Sequence, residues 1–172
     1  MITFSIPPDR EIPMRLISRT MLLAAALTLP LAATVQGQSD TPYERHLNAR
    51  QGYMDVLAFN IGTLGGMARG NIDYDAEAAQ TAADNLAAMS GVNTRPFWPE
   101  GSDNAALGDA TRALPAIWED PEGFGEAWMA YRTAASDMAE AAGGGLDALR
   151  GAMGPLGSSC GSCHEDFRQS DD

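Results

Sequence analysis

The sequence contains no lysine: all 11 basic residues of this 172-residue chain are arginines, set against 23 acidic residues for a formal net charge of −12. No basic stripe exists to neutralise phosphates, which excludes nucleic acid and anionic membrane surfaces as partners. Cysteine is scarce as well, and two residues cannot build a disulfide-rich scaffold. Histidine is limited to His46 and His164. No segment keeps up the alternation of a strand, and no apolar run reaches the ~20 residues of a membrane span. A hydrophobic content of 45% with 20% charged residues is too rich for wholesale disorder, and the length suits one domain with a real core.

Arg15 and Arg19 precede an apolar and small run from Met21 to Ala33, interrupted by Pro30. A basic start, a short apolar middle and small residues before a polar stretch form a secretory signal peptide. Residues 1–37 are expected to be cleaved, with Val35-Gln36-Gly37 as the processing site and Ala32-Ala33-Thr34 as an alternative; Met14 is a candidate true initiator. The mature domain is then 38–172, with a net charge of about −13. Export places it in the periplasm, with no membrane insertion after processing, where thiols do not stay free by default.

Four segments of the mature chain carry helical periodicity. From about Tyr43 to Met67, the residues Met54, Leu57, Ile61, Leu64 and Ala68 share one face. From about Asp75 to Ser90, Ala79, Ala83, Leu86 and Met89 do the same, with acidic residues at the start and Gly91 as a candidate C′ residue. Residues 91–118 are punctuated by Pro96, Pro99, Gly101, Gly108 and Pro115 and read as a long loop with short helical turns. The third helix opens on Asp120 as N-cap with Pro121 in the first turn, carries Phe124, Trp128, Tyr131, Ala135, Met138 and Ala142 on one face, and stops at Gly143-Gly144-Gly145. The fourth covers about Leu146 to Arg168, with Leu149, Met153, Leu156, Cys160, Cys163 and Phe167 at steps of three and four; Pro155 predicts a kink or brief break. The pattern predicts an all-α fold, an antiparallel up-down-up-down four-helix bundle.

Cys160-Gly161-Ser162-Cys163-His164 has the C-x-x-C-H spacing of c-type haem attachment. Two thiols add across the porphyrin vinyl groups, and the following imidazole reaches the iron from the same side. On a helix these are positions i, i+3 and i+4, so all three project from one face. The competing chemistries fit less well. A thioredoxin-like dithiol belongs beside a βαβ pattern that is absent, structural zinc needs four ligands where only His46 remains, and a plain disulfide leaves the inward helix face unexplained.

With this motif near the end of a four-helix bundle, the chain resembles the cytochrome c′ family over essentially the whole mature length. The resemblance also rests on Glu165-Asp166-Phe167-Arg168 after the histidine, on Arg50-Gln51-Gly52-Tyr53-Met54 in the first helix, and on Leu114-Pro115-Ala116-Ile117-Trp118. It implies one haem c per subunit, covalently bound through Cys160 and Cys163, with His164 as the proximal iron ligand. It implies that Arg50 and Gln51 contact the haem propionates, that Arg112 offers a further contact, and that Arg168 lies beside the proximal pocket on the helix face of His164. Phe97 and Trp98 are candidates to pack on the haem edge, with plain loop closure as the alternative.

Met54 decides the mechanism, and two readings stay open. An unbound thioether leaves five-coordinate, high-spin iron that takes NO or CO, with electron transfer as a further role. Coordination by Met54 makes a six-coordinate His/Met electron carrier like the related cytochromes c556, since such ligation raises the potential. An enzyme is not expected, because no acid–base group stands out near Met54. A homodimer through the first two helices and a redox protein partner are what the resemblance implies for assembly.

Overall fold

The computed structural model describes residues 43–170; the leader assigned to residues 1–37 lies outside them. Helix α1, Glu44–Arg69, ends where Gly70 turns left-handed at φ 74°. The Gly70 amide donates to Met67 O and the Asn71 amide to Gly66 O, which satisfies the last carbonyls of the helix. Helix α2, Ala76–Ser90, starts with the Asp75 carboxylate accepting from the Ala78 amide at 2.8 Å. Gly91 closes α2 but stays right-handed at φ −82°.

The crossover that follows is built from short turns: a 3₁₀ turn at Arg95–Phe97, helix α3 at Asn104–Leu107, a second 3₁₀ turn at Gly108–Ala110, and helix α4 at Ala116–Glu119. Asp120 then caps α5, Pro121–Ala141, accepting from the Gly123 amide at 2.9 Å. Gly145, at φ 119°, reverses the chain into α6, Leu146–Phe167. Helix α6 is assigned unbroken through Pro155, where the sequence predicted a kink or break. Pro155 and the residue four before it, Gly151, are both exposed, so the lost backbone bond falls on the solvent side.

Helix α1 packs on α2 and α6, and α5 packs on α2 and α6, which closes the four long helices into a ring. Leu64, Leu86, Met138, Leu149 and Leu156 are fully buried at its centre. Each buried leucine contributes about 1.5–3 kcal/mol. Ala79, Ala83, Ala135 and Ala142, also fully buried, let the backbones of α2 and α5 approach. The predicted stripes therefore point inward as expected, with one regularity: Met54, Ile61, Trp128, Met153, Cys160 and Cys163 are only partly buried. All of them line one region between α1, α5 and α6.

Of the five buried polar residues among those described, Arg50, Asn60, Thr94, Ser102 and Thr111, two lie on α1. Asn60 accepts from Asn85 Nδ2 at 3.0 Å across the α1/α2 seam and donates to Val56 O. Arg50, only 4% exposed, belongs to the site end of the bundle.

Candidate haem-binding site

The last two turns of α6 carry Cys160, Cys163 and His164, and the unbroken helix puts them on one face. No disulfide joins the two cysteines. Burial pushes both thiols up, Cys163 to about 11 with help from the charges of Cys160 and Asp166. That is the opposite direction from the depressed thiol of a redox dithiol. Partial burial, then the charges of Arg168 and Arg112, hold the His164 imidazole below its ordinary value. The neutral ring is the form that ligates a metal.

Two adjoining cavities of about 390 and 560 Å³ meet at this face, sharing Met54, Asp55, Trp128, Cys163, His164 and Arg168. Each is within the usual range for a small-molecule or cofactor site. The larger extends along Leu57, Ala58, Ile61, Tyr131, Met153 and Cys160. The smaller is walled by Trp98, Ile117, Phe124 and Phe167, with Arg50, Gln51 and Arg112 on its polar side. A flat apolar macrocycle with two acidic arms fits this set: two thiols and an imidazole on one helix face, aromatic walls, and guanidinium groups at one end. The Tyr131 hydroxyl, although Tyr131 lines the cavity, is turned away to donate to Leu86 O at 3.0 Å.

The sequence-predicted residues gather here, with two differences. Arg168 is not on the helix face of His164. It is the first residue past α6, extended at φ −130°, because the crossover captures the chain there: the Leu114 amide donates to Phe167 O at 3.1 Å and the Gln169 amide to Arg112 O at 2.8 Å. Arg168 still lines both cavities. Phe97 lies against Tyr53, 6.2 Å between ring centroids, and is not among the residues lining either cavity; Trp98 is the crossover aromatic on the wall. Phe97 instead packs against the bundle core, since the 3₁₀ turn at Arg95–Phe97 directs it there.

Arg50 and Gln51 both reach the crossover. Gln51 Nε2 donates to Ala110 O at 3.3 Å. Arg50 donates to Ser102 Oγ at 3.0 Å, to Ser102 O at 2.6 Å and to Thr111 Oγ1 at 2.6 Å, and its guanidinium lies 4.9 Å from the Trp98 ring centroid. Arg112 donates through both Nε and Nη2 to Gln169 O. Ser102, Thr111 and Phe124 were not anticipated as site residues. Only Phe124 had a signal in the sequence, its place on the inward stripe of α5.

Comparison with known proteins agrees with this geometry. Residues 45–168 match the family described as Cytochrome C′. Cytochrome c-554 of Cereibacter sphaeroides is 44% identical over 151 residues, covering 86% of this chain and 97% of that protein. A solved cytochrome c′ from Rhodobacter sphaeroides superposes with a TM-score of 0.72 at 35% identity, covering 74% of this chain and 98% of the other. A solved nitric oxide complex of a mutant cytochrome c′ from Alcaligenes xylosoxidans reaches a TM-score of 0.64 at 26% identity, covering 74% of this chain and 96% of the other. With its motif, its bundle and its pocket in agreement, the chain belongs to the cytochrome c′ family and carries covalently attached haem c.

Proposed function

We propose that the chain is a periplasmic monohaem cytochrome whose haem binds NO or CO at an open axial position and also passes electrons. Cys160 and Cys163 carry the haem as thioethers, and His164 supplies the axial imidazole. Haem contributes a redox-active iron with a second axial side; the remaining roles belong to the protein. Trp98, Phe124, Trp128 and Phe167 exclude water, and Arg50, Gln51, Arg112 and Arg168 provide the donors that suit propionate carboxylates. The observation that carries the reading is Met54, an apolar side chain on the wall of both cavities beside Cys163 and His164, with the Tyr131 hydroxyl directed elsewhere. Bound O2 gains most from a hydrogen-bond donor, so a wall of this kind favours NO and CO. The nitric oxide complex of the Alcaligenes relative supports the same ligand class.

The same observation favours a second reading. Methionine is unbranched with three rotatable bonds, and a thioether lining both cavities supports a reading in which Met54 is the sixth ligand. Absorption spectra of the purified holoprotein in both oxidation states, with and without NO and CO, separate the two. High-spin spectra that change on gas addition support the open iron; a low-spin ferrous spectrum indifferent to CO sinks it. Met54→Ala converts low-spin to high-spin only if the thioether was bound. The proposal is of a binding and electron-transfer protein rather than an enzyme, and turnover of peroxide or NO above that of free haem would contradict it.

Export by residues 1–37 is the basis for the periplasmic assignment, and N-terminal sequencing of the secreted protein tests it. Among the described residues no helix is long and apolar enough to cross a membrane. For assembly, a second copy suits the outer face of α1 and α2, where Phe59 is 74% exposed beside Thr63, Thr81 and Asn85. Sedimentation of the parent against Phe59→Glu tests that dimer. A redox protein partner completes the electron-transfer role.

A further inference from the structure

Residues 102–114 of the crossover form a strap attached to α1 on one side and to the end of α6 on the other. On the α1 side it is held through Arg50, by the three hydrogen bonds to Ser102 and Thr111. On the α6 side it is stitched to Phe167, Arg168 and Gln169, three to five residues after the last residue of the haem-attachment motif. Leu114 N–H donates to Phe167 O, Gln169 N–H to Arg112 O, and Ala113 pairs with Arg168 as an isolated antiparallel bridge. The Arg112 guanidinium and Asn104 Nδ2 add side-chain bonds to Gln169. Ser102 is fully buried and Thr111 nearly so, which makes the Arg50 end of the strap a built contact rather than a surface one.

We propose that Arg50 is the latch of this strap and thereby a positioning residue for His164: by fixing residues 102–114 it fixes the end of α6 on which the axial imidazole sits. This rests on the reading of His164 as the iron ligand. Arg50 suits the task because its planar fork serves three acceptors from two segments while its face covers Trp98. A point charge on a flexible stem cannot reproduce that geometry. A role through charge alone, on a propionate, has no such requirement. Thr111→Val removes a latch acceptor while leaving the arginine, and any contact it makes with a carboxylate, in place, so this variant separates the latch from a propionate partner.

The experiment uses the holoprotein and two measurements. Amide hydrogen exchange at Leu114 and Gln169 reports the strap, and the ring-proton shifts of the axial imidazole, read by paramagnetic NMR, report its position. In Arg50→Gln, Arg50→Lys and Thr111→Val, exchange at Leu114 and Gln169 is expected to accelerate roughly tenfold, as loss of a charge-assisted hydrogen bond predicts, while Leu64 and Leu149 keep their protection. The imidazole shifts are expected to move in all three. Unchanged exchange at Leu114 and Gln169, or full rescue by Arg50→Lys, overturns the latch. Accelerated exchange with stationary imidazole shifts overturns the positioning role. If Arg50→Gln does not fold, Thr111→Val decides alone. A parent holoprotein with no axial imidazole signal refutes the His164 assignment instead, and is recognised before any variant is made.

Discussion

Tyr131→Phe removes one buried hydroxyl, and its effect should depend on pH in a defined way. Tyr131 is 5% exposed and donates to Leu86 O at 3.0 Å, tying α5 to the last turn of α2. At pH 7 the variant loses that hydrogen bond, about 1 kcal/mol. Burial first, then the charges of Tyr53 and Cys160, hold the Tyr131 phenol well above its ordinary value of 10.0. Thioether formation at Cys160 removes that residue's share and leaves burial, the largest cause. The sign follows from proton linkage. Above pH 10 the unfolded chain releases the phenolic proton while the folded chain keeps it, so stability contributed by the neutral phenol is complete below pH 10 and is lost as pH rises. By pH 11 the loss is about 1.4 kcal/mol for this one group. Phenylalanine has no proton to lose, so the parent and variant curves converge and cross: a parent advantage of about 1 kcal/mol at pH 7 closes between pH 10 and 11 and is reversed by about 0.4 kcal/mol at pH 11. Alkaline effects of groups that do not interact with Tyr131 are common to both proteins and cancel, whereas Tyr53, whose phenol is hydrogen-bonded to Tyr131, is measured as part of the gap. Urea unfolding of the holoproteins, followed by far-UV circular dichroism between pH 7 and 11, measures the gap directly. A gap that stays constant across that range would refute the reasoning.

Three further outcomes test the fold that holds the site. Leu156→Ala, at a fully buried position of α6 one turn before Cys160, should cost about 2–5 kcal/mol in denaturant unfolding. Gly70→Ala should cost about 1 kcal/mol through backbone strain alone, since φ is 74° and an added Cβ meets nothing within 4 Å; Asn at the same position should be milder. Asp120→Ala should cost about 1 kcal/mol by removing the cap on α5, with thermal unfolding as the check.

Much of this architecture is local and therefore written in the chain. Asp75 and Asp120 cap helices where the sequence places them, and Gly145 reverses the chain between α5 and α6. The inward stripes follow because helical periodicity fixes which residues share a face before any partner helix is chosen. The exceptions are positions where a distant segment intervenes. Arg168 leaves the helix because the strap pairs with its backbone, and no residue near it announces that. Arg50 looks like a surface or ligand-binding arginine in the sequence; its burial comes from Ser102 and Thr111, 52 and 61 residues away.

The cofactor chemistry was determined by five adjacent residues, Cys160 to His164, because thioether attachment and imidazole ligation need only the i, i+3, i+4 geometry that one helix supplies. Only the tertiary structure decided what encloses that motif: that Met54 reaches both cavities, that Trp98 rather than Phe97 stands on the wall, and that the crossover binds α1 to the end of α6. Those contacts join residues far apart in sequence, where periodicity carries no information and packing alone selects the partner.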